Sequence, residues 1–469
     1  MPPLMYGTAQ LTARLEPWME RLLADPVLCQ ELIQQYGSPL NLHDFTPMSR
    51  NIAELREAAA EHDVDFQIYL ARKANKTIGA IDHAAAEGCG VDVASFHELD
   101  QCLKRGVPAE LLIVTAAVKS AELLALAVEN DVVLSLDNVD EALDLLDIAA
   151  QSGRRVRVAL RLASANPRIA PTRFGLRAEQ WLQFLDSAER TQGFQVCGVH
   201  FHLNGYSAQQ RALVLAESLR LIDALLDLGH APEFVDMGGG IPMSYLDDAA
   251  QWSGFWEDLA ALPAGDESLT WKSDRLGATG AEPSGSVYPY HQKLIRGEWL
   301  DQILESRPEG GHESVAQMLK RRGVQLRCEP GRSLLDGCGM TLAKVAFVKT
   351  RSDGLPLVGL HMNRTQCRST SADFLVDPIL IHAGTPRSER VALSAFLVGA
   401  YCIEEELILR RRFEFPQGVA AGDLVAFPNT GGYLMHIIES ASHQLPLANN
   451  LRSGGQGWLR DDIDSMILD

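Results

Sequence analysis

No C-x-x-C pair occurs anywhere in this chain of 469 residues. Its eight cysteines, Cys29, Cys89, Cys102, Cys197, Cys328, Cys338, Cys367 and Cys402, are scattered, so neither a zinc knuckle nor a dense disulfide framework is indicated and the thiols read as reduced. Long apolar runs are also lacking: none reaches the roughly 18 residues a membrane-spanning helix needs, and the start "MPPLMYGTAQ" has neither the charged beginning nor the apolar middle of a signal peptide. A cytoplasmic protein is the expectation. Positive charge is in deficit, with 42 Lys and Arg against 61 Asp and Glu, and a formal charge of −19 repels a phosphate backbone and an anionic bilayer. No nucleic-acid or membrane partner is expected for the molecule as a whole, although local basic pockets are compatible with that charge. Internal repeats and low-complexity blocks are missing as well.

What is present is the balance of a globular protein, 46% hydrophobic and 22% charged, in a length that suits two domains. From about residue 65 short apolar or β-branched runs alternate with helical patterns: "DFQIYLAR", "GVDVAS", "LLIVTA", "VVLSLD", "RVRVALRL", "FQVCGVHFHL", "FVDMGGG" and "VQLRCEP". Between them, segments such as "SAELLALAVEN" and "NVDEALDLLDIAAQ" repeat apolar residues every three or four positions, with Ser120 and Asn138 placed to cap. Eight strand–helix repeats predict a closed (β/α)₈ barrel of the α/β class, with an open doubly wound sheet as the other possibility. Residues 241–300 break the rhythm with aromatics, Gly, Ser and Pro, and read as a long excursion after the seventh strand. Beyond Arg332, runs such as "KVAFVKT", "LPLVGLHM" and "GDLVAFPNT" predict an antiparallel β domain, and the tail "NNLRSGGQGW" reads as loosely ordered. The expected division is 1–44 joining the β domain, 45–332 the barrel, and 333–469 the C-terminal β domain.

Several residues can carry chemistry. Lys73 ends the first barrel strand, where such barrels place reactive groups; partial burial there would lower its pKa and make it a nucleophile toward a carbonyl, whereas a surface lysine would simply reach for solvent. Gly238, Gly239 and Gly240 can present backbone N–H groups to an anion, or form only a tight turn. Glu329 can bind a protonated ring nitrogen, or pair with Arg327 or Arg332. His200 and His202 form an H-x-H that could chelate a metal, but further converging ligands are not apparent and no metal is expected.

The stretch "YLARKAN" resembles the Y-A-x-K-A-N signature of the fold-type III pyridoxal-phosphate enzymes, the family of ornithine, arginine and diaminopimelate decarboxylases. "GVDVASFHEL", "GVHFHLNG", "VDMGGGIP", "CEPGRSL", "GAYCIEEE" and "GDLVAFPNTGGYLM" resemble its other motifs in the family's order, across nearly the whole chain. The resemblance implies an alanine racemase-like barrel binding pyridoxal 5'-phosphate, with Lys73 holding the cofactor and Glu329 at its ring nitrogen. It implies His202 against the ring, Asp92 and Arg161 around it, and Gly238, Gly239, Gly240, Arg332 and Tyr433 at the phosphate. It further implies a homodimer in which Cys402, with Tyr433, arrives from the second subunit and Cys402 or Lys73 protonates the product. Decarboxylation of a small-molecule amino-acid substrate is expected; a racemase or epimerase, or a silent regulatory relative, are the alternatives.

The chain departs from the family on the substrate side. His202 is followed by Leu203, Asn204 and Gly205 where H-x-G-S is usual, so Asn204, Tyr206 or Ser207 would have to replace the serine. Ile403 follows Cys402 where Asp or Glu grips a distal amine, "DPILIH" with Asp377 and Ile381 stands for R-P-x-L-Y, and Arg173 stands where lysine is common. A site without its charged distal contacts should reject ornithine or lysine.

Overall fold

Two short strands, β1 (Tyr6–Gly7) and β2 (Leu40–His43), precede the eight that the alternation predicts. These are β3 (Phe66–Ala71), β4 (Gly90–Val93), β5 (Leu112–Val114), β6 (Val133–Leu136), β7 (Val156–Arg161), β8 (Phe194–His200), β9 (Phe234–Asp236) and β10 (Gln325–Cys328). In the computed structural model, which describes residues 3–187, 192–283, 285, 287–369, 376–384, 389–455 and 457–466, they form a closed parallel barrel, β10 pairing with both β9 and β3. The expected caps are made: Ser120 accepts from the Leu123 N–H at 3.3 Å and Asn138 from that of Glu141 at 2.9 Å.

Strand alternation sorts the barrel residues into two environments, because successive side chains point to opposite faces. One set, including Ile68, Leu70, Val91, Val93, Leu134 and Val235, belongs to the large core shared with the helices. The other set fills the ring in two layers. Tyr69, Ile113, Val133, Ala159, Cys197 and Phe234 form a separate apolar cluster. Nearer the C-terminal ends of β4, β6, β7 and β9 stand Asp92, Ser135, Arg161 and Asp236, all buried.

The second unit is a sheet of β1, β2 and β11 (Gly339–Thr350), β12 (Pro356–Leu360), β13 (Ile379–Ile381), β14 (Leu393–Val398), β15 (Leu407–Phe415), β16 (Leu424–Pro428), β17 (Asn449–Gly454) and β18 (Gly457–Arg460). Its pairings are antiparallel except for β12 with β14 and β17 with β2. The excursion at 241–300 is more ordered than its composition suggests. It contains a helix over Ala249–Ala261 and the start of another over Arg296–Glu305, and its Tyr245, Phe255, Trp256 and Tyr290 are packed into the β-domain core with Val358, Phe413 and Val425. Buried aromatics without a period belong to an element whose several faces are covered.

The tail is likewise not loose. Asn449–Gly454 is hydrogen-bonded to β2 on one side and β18 on the other. Ser453 and Gly454 pair with Trp458 and Gly457 beside the turn, where Gly455 sits and residue 456 lies outside the described residues. Beyond the hairpin, Asp461 accepts from the N–H groups of Ile78 and Gly79, each at 2.8 Å, so the helix Ile78–Ala86 that follows Lys73 is capped by a residue 382 or more positions away. Replacing Asp461 by Ala strands two buried donors and is expected to destabilise the chain by about 1–3 kcal/mol, read as a lower denaturant midpoint at unchanged slope.

Candidate active site

The polar inner layer forms one connected network at the C-terminal mouth of the barrel. Lys73 follows β3 in a short 3-10 turn, Arg72–Ala74, and its Nζ donates to Asp92 Oδ2 at 2.7 Å. The other oxygen of Asp92 accepts from the Thr115 hydroxyl, whose own carbonyl accepts from Arg161. Arg161 also reaches Asp137 at 2.8 Å and donates from Nε to His200 Nδ1 at 3.2 Å, and Ser135 Oγ lies 2.7 Å from the same Nδ1. The remaining ring nitrogen of His200 is 3.6 Å from Glu329 Oε1. Burial, with Asp92 and Asp236 nearby, pushes the Glu329 carboxyl well up, and burial raises Asp236 to about 6.

Beside this network opens a cavity of about 390 Å³ walled by His202, Asn204, Tyr206, Gly240, Arg332 and Tyr433, among others. Gly238 and Gly240 have φ of +67° and +74°, and a Cβ on Gly239 would stand 2.8 Å from the Glu329 carbonyl, so the loop after β9 needs glycine to run this close to β10. The N–H groups of Gly239 and Gly240 bond to no described residue. Arg332 donates to the Tyr245 hydroxyl at 2.9 Å and lies 4.2 Å over the Tyr288 ring, so the excursion holds this guanidinium in place. His202, just past β8, meets Phe174 edge to face at 5.7 Å.

Several expectations are corrected by this geometry. Lys73 is neither loose in solvent nor lowered in pKa: burial alone would lower it, but Asp92, Glu329 and Tyr433 together outweigh burial and push it up. Gly238 does not offer its N–H to the cavity, because Asp236 Oδ1 takes it at 2.9 Å. Arg161 spends its donors inside the network. Tyr433 stands in the cavity of its own chain, its N–H bonded to Ala74 O at 2.7 Å. Cys402, expected to act from a second subunit, is exposed on the turn after β14 with its N–H on the His443 ring, a placement that does not contradict that expectation. Asp377 pairs with Arg411 at 2.8 Å and accepts from the Leu11 N–H, and Ile381 is core, so "DPILIH" is β-domain framework; Ser369 is on the cavity wall instead. Of the candidate replacements for the family serine, Asn204 and Tyr206 line the cavity, while Ser207 caps the helix Ala208–Asp227. Neither Arg327 nor Arg332 takes Glu329: Arg327 lies 3.6 Å over Phe234 and bonds Gln325. The residues that sequence reasoning missed, Thr115, Ser135, Asp137 and Asp236, share one signal, a polar side chain on the inward register of an otherwise apolar strand or just past its end.

The model of the pyridoxal-dependent decarboxylases' pyridoxal binding domain matches residues 49–261. The chain is 30% identical over 451 residues to an uncharacterized protein, y4yA, of Sinorhizobium fredii, covering 95% of this chain and 92% of that one. It is 23% identical over 470 residues to a diaminopimelate decarboxylase of Zymomonas mobilis, covering 96% of each. Among solved structures it superposes on diaminopimelate decarboxylase from Helicobacter pylori complexed with L-lysine, with a TM-score of 0.69, 19% identity and coverage of 93% and 98%. It also superposes on lysine/ornithine decarboxylase complexed with putrescine from Vibrio vulnificus, with a TM-score of 0.65, 18% identity and coverage of 94% and 99%. The chain belongs to the fold-type III pyridoxal-phosphate-dependent decarboxylase family, and its cofactor is pyridoxal 5'-phosphate. The residues present fit that group: Gly240, whose N–H bonds to no described residue, a guanidinium and a phenol line one cavity, and on the neighbouring network stand a lysine and a buried carboxyl whose Oε1 has no partner among the described residues.

Burial, with Lys73 and Arg161 adding to it, lowers His202 to about 3. A histidine kept neutral in the folded chain but titrating near 6.5 when unfolded contributes stability that is complete above about pH 6.5 and is lost as pH falls toward about 3. Relative to His202→Gln, the cofactor-free protein should therefore lose stability on acidification by up to ~1.4 kcal/mol per pH unit in that window, measured from denaturation midpoints.

Proposed function

We propose that this chain decarboxylates an α-amino acid, with Lys73 holding the cofactor and Glu329 facing its ring nitrogen. The observation that carries the reading is the meeting, within one barrel mouth, of the Lys73–Asp92 pair, the buried Glu329 and the anion-ready cavity of Gly240, Arg332 and Tyr433. Bound pyridoxal phosphate supplies an electron sink for the bond that breaks. The chain's own residues do the rest. Lys73 must shed a proton before it can act as a nucleophile, and Asp92 Oδ2 lies 2.7 Å away to hold that proton. Glu329, shielded from water, keeps its hydrogen-bonding oxygen for the ring nitrogen. His202 walls the cavity on the side of Phe174.

The substrate we assign is an amino acid without the second ammonium of lysine or ornithine. Ile403, not a carboxylate, follows Cys402; Glu404 is exposed, and Glu405 is taken by Lys272 at 2.6 Å. The exposed Cys402 suits delivery of a proton to the site of a second copy, which makes a homodimer the working unit. Free cysteines and an acidic surface suit the cytoplasm. Removal of the α-proton in place of the carboxylate would make the chain a racemase, and carbon dioxide release across an amino-acid panel separates the two outcomes.

Lys73→Ala should abolish the visible absorption of the purified protein and lower turnover on the order of a thousandfold or more; a coloured, active variant would refute the assignment. Mixing Lys73→Ala with Cys402→Ala should restore activity above that of either alone, measured as carbon dioxide release after subunit exchange, if the two residues serve one site from two chains.

A further inference from the structure

Three buried polar atoms at the barrel mouth have no hydrogen-bond partner among the described residues: Nε2 of His200, Oδ2 of Asp236 and Oε1 of Glu329. They are not independent, since ligand atoms of these three residues all lie within 4.8 Å of one another. Two unpaired carboxylates buried side by side would be costly, and the cations nearby are engaged elsewhere: Lys73 with Asp92, Arg161 with Asp137, and Arg327 with Gln325 and the Phe234 ring. The missing partners are therefore protons. His200 identifies one of them. Arg161 Nε donates to its Nδ1, so that nitrogen is the acceptor and the neutral ring carries its hydrogen on Nε2, directed at Glu329 Oε1. At 3.6 Å that hydrogen faces Glu329 without bonding it, and the Asp236 oxygen is left open as well.

We infer that Asp236 and Glu329 hold one further proton between them, so that Asp236 is a positioning residue that sets the charge Glu329 presents to the cofactor; the inference rests on the placement of Glu329 in the proposed function. Asp236 Oδ1 is fixed by the Gly238 N–H, which leaves Oδ2 as the oxygen turned to the pair. The pair is also faced by Asp92 from β4, Arg327 from β10, Tyr69 from β3, and Lys73 and Arg161 from the ends of β3 and β7. With one proton the pair is a monoanion, and a protonated ring nitrogen facing Glu329 would draw that proton to Asp236 and keep Glu329 the acceptor. With two protons it is neutral and that acceptor is lost. Burial raises both carboxyls, so the pair takes up its second proton as the pH falls.

The test begins on the full-length wild type freed of cofactor. Its infrared spectrum at about pH 7 should show the C=O band of a buried protonated carboxyl, and Asp236→Asn, whose amide donates permanently, should lose that band. With cofactor bound, the visible absorption of the wild type should change as the pH is lowered, and in Asp236→Asn that step should vanish or move by about one pH unit or more. Absence of the band in the wild type, which needs no variant, overturns the inference. So does an Asp236→Asn protein that titrates as the wild type does. Stoichiometric zinc binding by the cofactor-free wild type, lost in Asp236→Asn, would also overturn it by showing a cation where the proton is placed. If Lys73→Ala kept its cofactor colour, the proposed function would fail while the infrared result on the cofactor-free chain would stand on its own.

Discussion

A closed parallel barrel leaves no bulk water beside its inward-facing side chains, so a polar group on that register must find its partner inside the ring. The rest of the site follows from that constraint. Asp92, Thr115, Ser135, Asp137, Arg161 and His200 come from five consecutive strands or their ends, and each link between them is a hydrogen bond that one neighbour needs as much as the other. The chain of bonds ends at Lys73 on one side and at His200 on the other, whose second ring nitrogen lies 3.6 Å from Glu329. An apolar plug of Tyr69, Ile113, Val133, Ala159, Cys197 and Phe234 closes the ring beneath, so the polar layer cannot relax downward toward solvent. Fixed partners and a dry floor give pre-organised charge, the condition under which a site holds ionised groups without reorganising them.

The lysine turn is held just as firmly from outside the barrel. Arg72, buried beside Lys73, donates to the carbonyls of Asn75 and Lys76 and to Gln101 at 3.0 Å. Asn75 donates to Gly431 at 2.9 Å, Tyr433 donates back to Ala74, and Lys76 pairs with Glu439 at 2.6 Å. The β domain thus grips the residues on both sides of Lys73 and, through Tyr433 and Asp461, supplies both a wall of the cavity and the cap of the next helix. A change in how the two units meet would be felt first at the lysine, since few of its neighbouring backbone groups are held by the barrel alone.

Much of this was legible in the sequence because local rules and global fold agree there. The eight strands were readable from β-branched runs between helical periods, and the triple glycine from the conformations only glycine adopts cheaply. The inner polar layer was legible in principle from a polar residue on the inward register of "VDV", "VLSL" and "FVD", but a parallel strand is covered on both faces, so its parity means nothing until one inward residue is known. Lys73 illustrates a different failure. Its burial was foreseeable, yet the direction of its titration depends on Asp92, 19 residues away in sequence and 2.7 Å away in space. The excursion and the tail were misjudged for a third reason. Their order comes from packing partners in the β domain, Val358 and Phe413 for one and β2 for the other, and composition carries no record of them.

The two halves of the cavity differ in how strongly the chain fixes them, and that difference bears on the substrate. On the anion side every element is over-determined: Arg332 is boxed by Tyr245 and Tyr288 from the excursion, and Tyr433 is tied to Ala74. The segment resembling the family's substrate-contacting motif has instead become scaffold, with Asp377 locked to Arg411 and Leu11 inside the β domain. Under the function we propose, the missing counter-charge is that of Ile403, which stands where a carboxylate would grip a distal ammonium, and the desolvation penalty of an unpaired buried cation exceeds what van der Waals contact could return. A neutral or uncharged-polar side chain meets no such penalty against Ser369, Asn204 and Tyr206. Under the same proposal, a cofactor grip of this kind beside a wall without a counter-charge suits the same chemistry to an amino acid with no distal ammonium.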